Sequence, residues 1–168
     1  DSEIYRIVAD IVADEYSEHP ICMRPGRQKK FFAGAITAGG LVNYLGTLLE
    51  NIRKVYIVSV PEGFSNHSFM EILKEGAVYR GFDTEVFYCP MGPEKKIDHI
   101  IIPQLGLAFV TVNEYHDIEP WELFEEDDTH NFDEKEITLI DINDYMKQRI
   151  LEENEVLMTA LKEEFEIL

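Results

Sequence analysis

Residues 54–60 read KVYIVSV, a mostly apolar, β-branched run of the kind that forms a strand buried on both faces. The run passes through PEGFSN, residues 61–66, straight into a helical pattern from about His67 to Tyr79. A hydrophobic strand that enters a helix through a Pro/Gly turn belongs in a sheet with helices laid on its faces. It is also the layout of a phosphate-binding loop. Such a loop needs glycines, so that successive N–H groups can curl round an anion. It needs a lysine to reach the outer phosphates and a Ser or Thr hydroxyl to hold magnesium. The dipole of the following helix adds to the attraction.

The rest of the chain extends this α/β pattern. Gly81 stops the helix, and residues 84–88 form a second strand that ends at Cys89 and Pro90. Residues 105–112 supply a third strand, preceded by a shorter apolar segment at 100–102. Strand, helix, strand, strand with right-handed crossovers predicts a sheet covered by helices. Upstream, Ile4, Ile7, Val8, Ile11 and Val12 mark one face of a helix over residues 2–16, with Ser2 as its cap. Residues 17–30 contain two prolines and a glycine and read as a linker. Residues 31–36 are short and apolar, and Gly39 and Gly40 open a helix through Leu41, Leu45, Leu48 and Leu49. Downstream, residues 113–135 form a long polar connection and 137–140 a short strand. Ile142, Met146, Ile150, Val156, Leu157, Leu161 and Phe165 then predict a long amphipathic closing helix, capped by Asp141 or Asn143. The expected division is a helix and linker at 1–27 and the main domain at 28–168.

Charge narrows the function. With 33 acidic and 15 basic side chains the net charge is −18, which argues against a nucleic-acid binder and against binding to anionic membranes. Residues 114–168 hold 19 of the acidic residues and only four basic ones, so −15 of the total lies there. The opposite bias occurs at Arg24, Arg27, Lys29 and Lys30. Hydrophobic residues make up 45 % of the 168, enough for one domain with a sizeable core. The longest apolar region, 100–112, is broken by Pro103 and Gln104, short of a membrane span. Two cysteines, Cys22 and Cys89, exclude a disulfide-rich scaffold and fit a reducing cytoplasm. The start at Asp1, with an amphipathic segment and no initiator Met, leads us to expect a fragment of something longer.

Five local patterns carry a family resemblance. They are KKFFAGAITAGGLVNYL before the first strand, KVYIV entering the loop, RGFDTEVFYCP, IIIPQLGLAFV, and residues 114–120 with His116. In order and spacing the chain resembles half of an uncharacterised bacterial family built from two P-loop NTPase-like domains, described as ATPases or nucleotide kinases. The match covers roughly residues 28–146 and is closer to the second half of that family. The resemblance implies a three-layer αβα fold with a mainly parallel sheet. Laid on the family's loop without gaps, the first glycine falls on Val60 and the last on Ser65, Asn66 stands at the lysine and His67 at the hydroxyl residue. Gly63 and Ser68 stay similar to the pattern. A shift of one puts His67 at the lysine and Ser68 at the magnesium hydroxyl. Neither frame yields GK[ST], and the acidic residue that ends the family's third strand is Thr111 here.

These departures set the expected function. Phosphoryl transfer rests on positioning and charge stabilisation, and the missing lysine removes contacts of about 1.5–3 kcal/mol each. The expectation is a degenerate, non-hydrolytic domain with no catalytic residue and no resident cofactor, paired with another P-loop domain or a second protomer. Two alternatives stand beside it. One is an ATPase or nucleotide kinase that binds ATP and magnesium through an altered loop, with the positive charge of residues 24–30. The other is a non-nucleotide anion-binding module using backbone donors of residues 63–68.

Other chemistry is thinner. His19, His67, His99, His116 and His130 form neither HExxH nor a close Cys/His set, so no metal site is expected. Cys89, Thr111 and His116 (the last with Glu114 and Asp117) are candidates for a ligand edge where the strands end. Cys89 is either a thiol beside the loop or an inert core residue. Glu125, Glu126, Asp127 and Asp128 with His130 lack the spacing of an EF-hand. Ser65 and Ser68 lack a GxSxG elbow. Trp121 and Phe124 form an apolar island in the acidic connection, suited to anchoring a partner or pinning the loop to the core.

Overall fold

The computed structural model describes residues 2–32, 34–37, 40–43, 45–60, 67–89, 96–112, 135–142 and 156. In chain order the elements are α1 (Ser2–Tyr16), β1 (Gln28–Phe31), β2 (Gly34–Thr37), β3 (Gly40–Asn43), a single turn α2 (Leu45–Leu48), β4 (Lys54–Ser59), α3 (His67–Val78), β5 (Thr84–Tyr88), β6 (Ile97–Ile102), β7 (Leu107–Val112) and β8 (Glu136–Asp141). Six strands form a sheet in the order β1-β5-β6-β7-β4-β8. It is mixed α/β and mostly parallel. Only β6 runs against its neighbours, and β1–β5, β7–β4 and β4–β8 are parallel.

Burial follows the sequence pattern. Val55, Tyr56, Ile57 and Val58 of β4 are all buried, as a strand covered on both faces requires. Tyr56 and Val58 face α1 and α3, together with Phe109, Val8, Phe69 and Leu73. Val55 and Ile57 face the other way, onto Leu49 and Ile52. The anchoring of α1 is specific. The Tyr16 hydroxyl donates to the Leu73 carbonyl at 3.1 Å, and Arg80 Nε donates to the carbonyls of Tyr16 and His19 at 3.0 and 2.8 Å. Gly76 sits inside α3 because Tyr16 lies against it: a Cβ there would come within 2.8 Å of the ring.

Three expectations change. Residues 97–102 form a complete strand, antiparallel to β7, and Leu105 belongs to the intervening turn Pro103–Leu105 rather than to the third strand. The cause is length, since a parallel connection needs a dozen or more residues and only residues 103–106 separate β6 from β7. Second, the linker ends earlier than residue 30. Gln28 to Phe31 pair with Thr84 to Phe87 as the edge strand β1, and all four residues are exposed. The segment before it is tied down as well, with Cys22 N–H on the Tyr79 carbonyl and Gly26 N–H on the Val78 carbonyl. Third, residues 40–43 are a strand paired with residues 34–37, and the helix expected from Gly40 is confined to Leu45–Leu48. The leucine spacing is helical, but the β-branched Ile36, Thr37 and Val42 favour the hairpin. Ile142 and Val156 are helical, and the rest of the predicted closing helix lies outside the described residues.

Candidate functional site

Three parallel strands, β7, β4 and β8, end side by side. Ser59 at the end of β4 is in register with Val112 on one side and Asp141 on the other. The N–H of Val60 donates to the Val112 carbonyl at 3.1 Å, which extends the pairing by one residue. The first residue of α3, His67, follows seven residues after Val60. In open α/β sheets this carboxyl edge is where ligands bind, beside the N–H groups of the helix that follows.

The sequence candidates distribute unevenly around this edge. Val60, where the resemblance would put a first glycine, is 3 % exposed and belongs to the core under α1 and α3. Its isopropyl group is committed to packing. Gly63, Ser65 and Asn66 lie outside the described residues. His67 is partly buried, and its Nδ1 is buried without a hydrogen-bond partner among the described residues. Ser68 is exposed in the first turn of α3, which holds no acidic residue. Thr111 is 2 % exposed and stands opposite Val58, so a buried, uncharged hydroxyl stands where the resemblance would put an acid. Cys89 is buried, and two strands, β6 and β7, separate its strand β5 from β4. That is the environment of an inert core thiol. His116, with Glu114 and Asp117, the acidic run with His130, and Trp121 and Phe124 all lie outside the described residues.

The sheet adds a residue that sequence reasoning used only as a helix cap. Asp141 ends β8 directly beside Ser59. The available signal was an apolar run, ITLI, ending in an acid. Nothing local says that this run adds to β4 across more than seventy residues. Lys96 reaches the same edge at the start of the reversed strand β6, with β7 between it and β4, and its ammonium lies 3.8 Å from Asp98.

The opposite end of β4 carries a separate polar network. Lys54 Nζ lies 2.7 Å from Glu15 and 3.1 Å from Glu136, and the Tyr56 hydroxyl donates to Glu15 at 2.5 Å. Burial opposes the charge on Lys54, but the two carboxylates outweigh it and hold the ammonium protonated above its ordinary range. Burial and Glu15 push the Tyr56 phenol up to about 12, and burial raises Tyr16 further. These groups join α1, β4 and β8 and lie away from the candidate edge.

A pH dependence follows. An unfolded tyrosine ionises near pH 10, so a raised folded value stabilises fully below about pH 10 and loses that effect as pH rises through about 12. Alkaline denaturation of the wild type is expected to steepen across that window. Tyr56→Phe is expected to flatten it, with one late-titrating phenolate missing from the absorbance titration. An unchanged profile would remove Tyr56 from the network.

No family model, curated protein or solved structure matches the chain. Among the described residues no three His, Cys, Asp or Glu side chains gather as a metal site. No helix among them is long and apolar enough to cross a membrane.

Proposed function

We propose that this chain is a three-layer αβα domain of P-loop NTPase type that has lost nucleotide hydrolysis and serves as a structural or regulatory partner of another domain or protomer in a bacterial cytoplasm. The observation that carries the reading is the passage from β4, flanked by two parallel strands, into α3 at the carboxyl edge of the sheet. A strand passing into a helix at this edge supports a phosphate-loop reading, in which the working groups are replaced. Val60 is packed into the core and Thr111 is buried and uncharged, and Asn66 or His67 takes the place of the lysine. A triphosphate at this edge would meet Asp141 beside Ser59 and no lysine from the loop. Without an ammonium on the outer phosphates, the charge that builds up in phosphoryl transfer has no counterion from the loop.

Calorimetric titration with Mg-ATP tests this. The expected result is no saturable binding below about millimolar, equivalent to about −4.1 kcal/mol. Micromolar affinity would overturn it. In the same titration Ser65→Gly with Asn66→Lys is expected to raise nucleotide affinity, and no change would show that the loop is aligned wrongly. One observation favours a second reading, an anion-binding module without nucleotide specificity. The buried Nδ1 of His67, without a hydrogen-bond partner among the described residues, stands at the first residue of α3, where it can donate to an oxyanion alongside backbone N–H groups. Inorganic phosphate that moves the imidazole resonances of His67 supports that reading, and unchanged resonances exclude it.

A further inference from the structure

Among the described residues the edge strand β1 ends the six-stranded sheet and pairs with β5 alone. Terminal strands leave outward N–H and C=O groups that can pair with another chain. Residues 21–32, ICMRPGRQKKFF, contain four cations and no acid in a chain of net charge −18. All of them except Gly26 are exposed. Four large apolar side chains lie in this stretch, Ile21 at 72 %, Met23 at 104 %, Phe31 at 42 % and Phe32 at 59 % exposure. Arg27 is held by Asp83 at 2.7 Å, and Lys29 lies 3.7 Å from Glu85. Lys30 sits 5.5 Å over the Tyr88 ring, and neither it nor Arg24 has a carboxylate partner among the described residues.

Adjacent lysines on an edge repel a second copy of the same strand. The same charge admits an acidic one. The chain holds such a segment at residues 121–128, WELFEEDD, with five carboxylates and three large apolar side chains. We propose that the outer edge of β1 takes this acidic segment from a second copy of the chain as an added strand. The carboxylates would face Arg24, Lys29 and Lys30, and Trp121, Leu123 and Phe124 would cover the apolar side chains beside them. A chain does not reach its own β1 this way. From a seventh strand beside β1 back to β8 is six strand spacings, about 29 Å, whereas the seven links from Asp128 to Lys135 span about 25 Å fully extended. At physiological salt, charges beyond about 8 Å are screened, so the local contact outweighs repulsion between the two acidic bodies.

This proposal deepens the pairing part of the function above and rests on it. Nucleotide titration tests the loop and sedimentation tests the edge, so the two fail separately. The experiment is sedimentation equilibrium on the full chain. Wild type is expected to self-associate with a Kd of about 100 µM or tighter. Lys29→Glu with Lys30→Glu, and separately Glu125→Lys with Glu126→Lys, are each expected to weaken association at least about 10-fold. Mixing the two variants is expected to restore it, and circular dichroism checks that each is folded. If one variant fails to fold, the other still carries the comparison with wild type. A wild type that stays monomeric at that concentration, association indifferent to either reversal, or a mixture no tighter than its parts would overturn the proposal.

Discussion

Phe109→Ala is expected to cost about 3–5 kcal/mol of folding stability, the range for emptying a large buried aromatic site. The position joins the two halves of the α1/α3 face. Phe109 lies in β7, is fully buried, and stacks on Tyr56 of β4 with ring centroids 5.2 Å apart. β7 is pinned by β6 on one side and β4 on the other, so the backbone has little room to close the void. Against a total of about 5–15 kcal/mol for a domain of this size, the loss is a large share. Urea denaturation followed by circular dichroism should show a lower midpoint at an unchanged slope. The control is Phe32→Ala at an exposed position, expected within about 0.5 kcal/mol of wild type. Equal effects of the two would mean that this face is not the core described here.

Gly26→Ala is expected to cost about 1–3 kcal/mol or more, although glycine to alanine in a turn is often harmless. A Cβ at Gly26 would lie 1.8 Å from the Phe82 carbonyl oxygen and 2.3 Å from its carbon. Both are backbone atoms, so no side chain can turn aside. The segment must instead lift away, and three hydrogen bonds go with it. These are Gly26 N–H to the Val78 carbonyl at 2.8 Å, Arg27 N–H to Asp83 at 2.8 Å, and Thr84 N–H to the Arg27 carbonyl at 2.8 Å. Hydrogen exchange should therefore show faster exchange at the Thr84 amide along with the global loss. Gly76→Ala makes the instructive comparison. Its Cβ would meet side chains instead of backbone, the Tyr16 ring at 2.8 Å and Val12 at 3.8 Å. A Gly26→Ala protein with wild-type exchange at Thr84 would mean that residues 26–28 do not hold β1 to the sheet.

These two positions also show how far local pattern reaches. Phe109 as core was legible, because a run such as LAFVTV is apolar on both faces and only a central strand buries both. The apolar face of α1 was legible in the same way, and Val8 and Ile11 are buried where its periodicity put them. Gly26 was visible only as a turn residue. Its close approach to Phe82 depends on a strand that starts more than fifty residues later. At the candidate edge, the absence of a lysine from residues 61–66 is a matter of residue identity and needs no coordinates. The burial of Val60 and Thr111 and the neighbour relation of Asp141 to Ser59 do need them.

Periodicity therefore determined α1, α3, β4 and β7 and the faces they bury, because burial repeats every two or 3.6 residues and is written locally, but it gave helix at residues 40–43, where a strand forms. Residue identity determined that the loop after β4 lacks a lysine. Only the tertiary structure decided that β6 runs backwards, that polar Gln28–Phe31 is an edge strand, and that β8 lies against β4. Strand pairing is a contact between distant segments, so a strand's own residues record how much of it is covered and not which neighbour covers it.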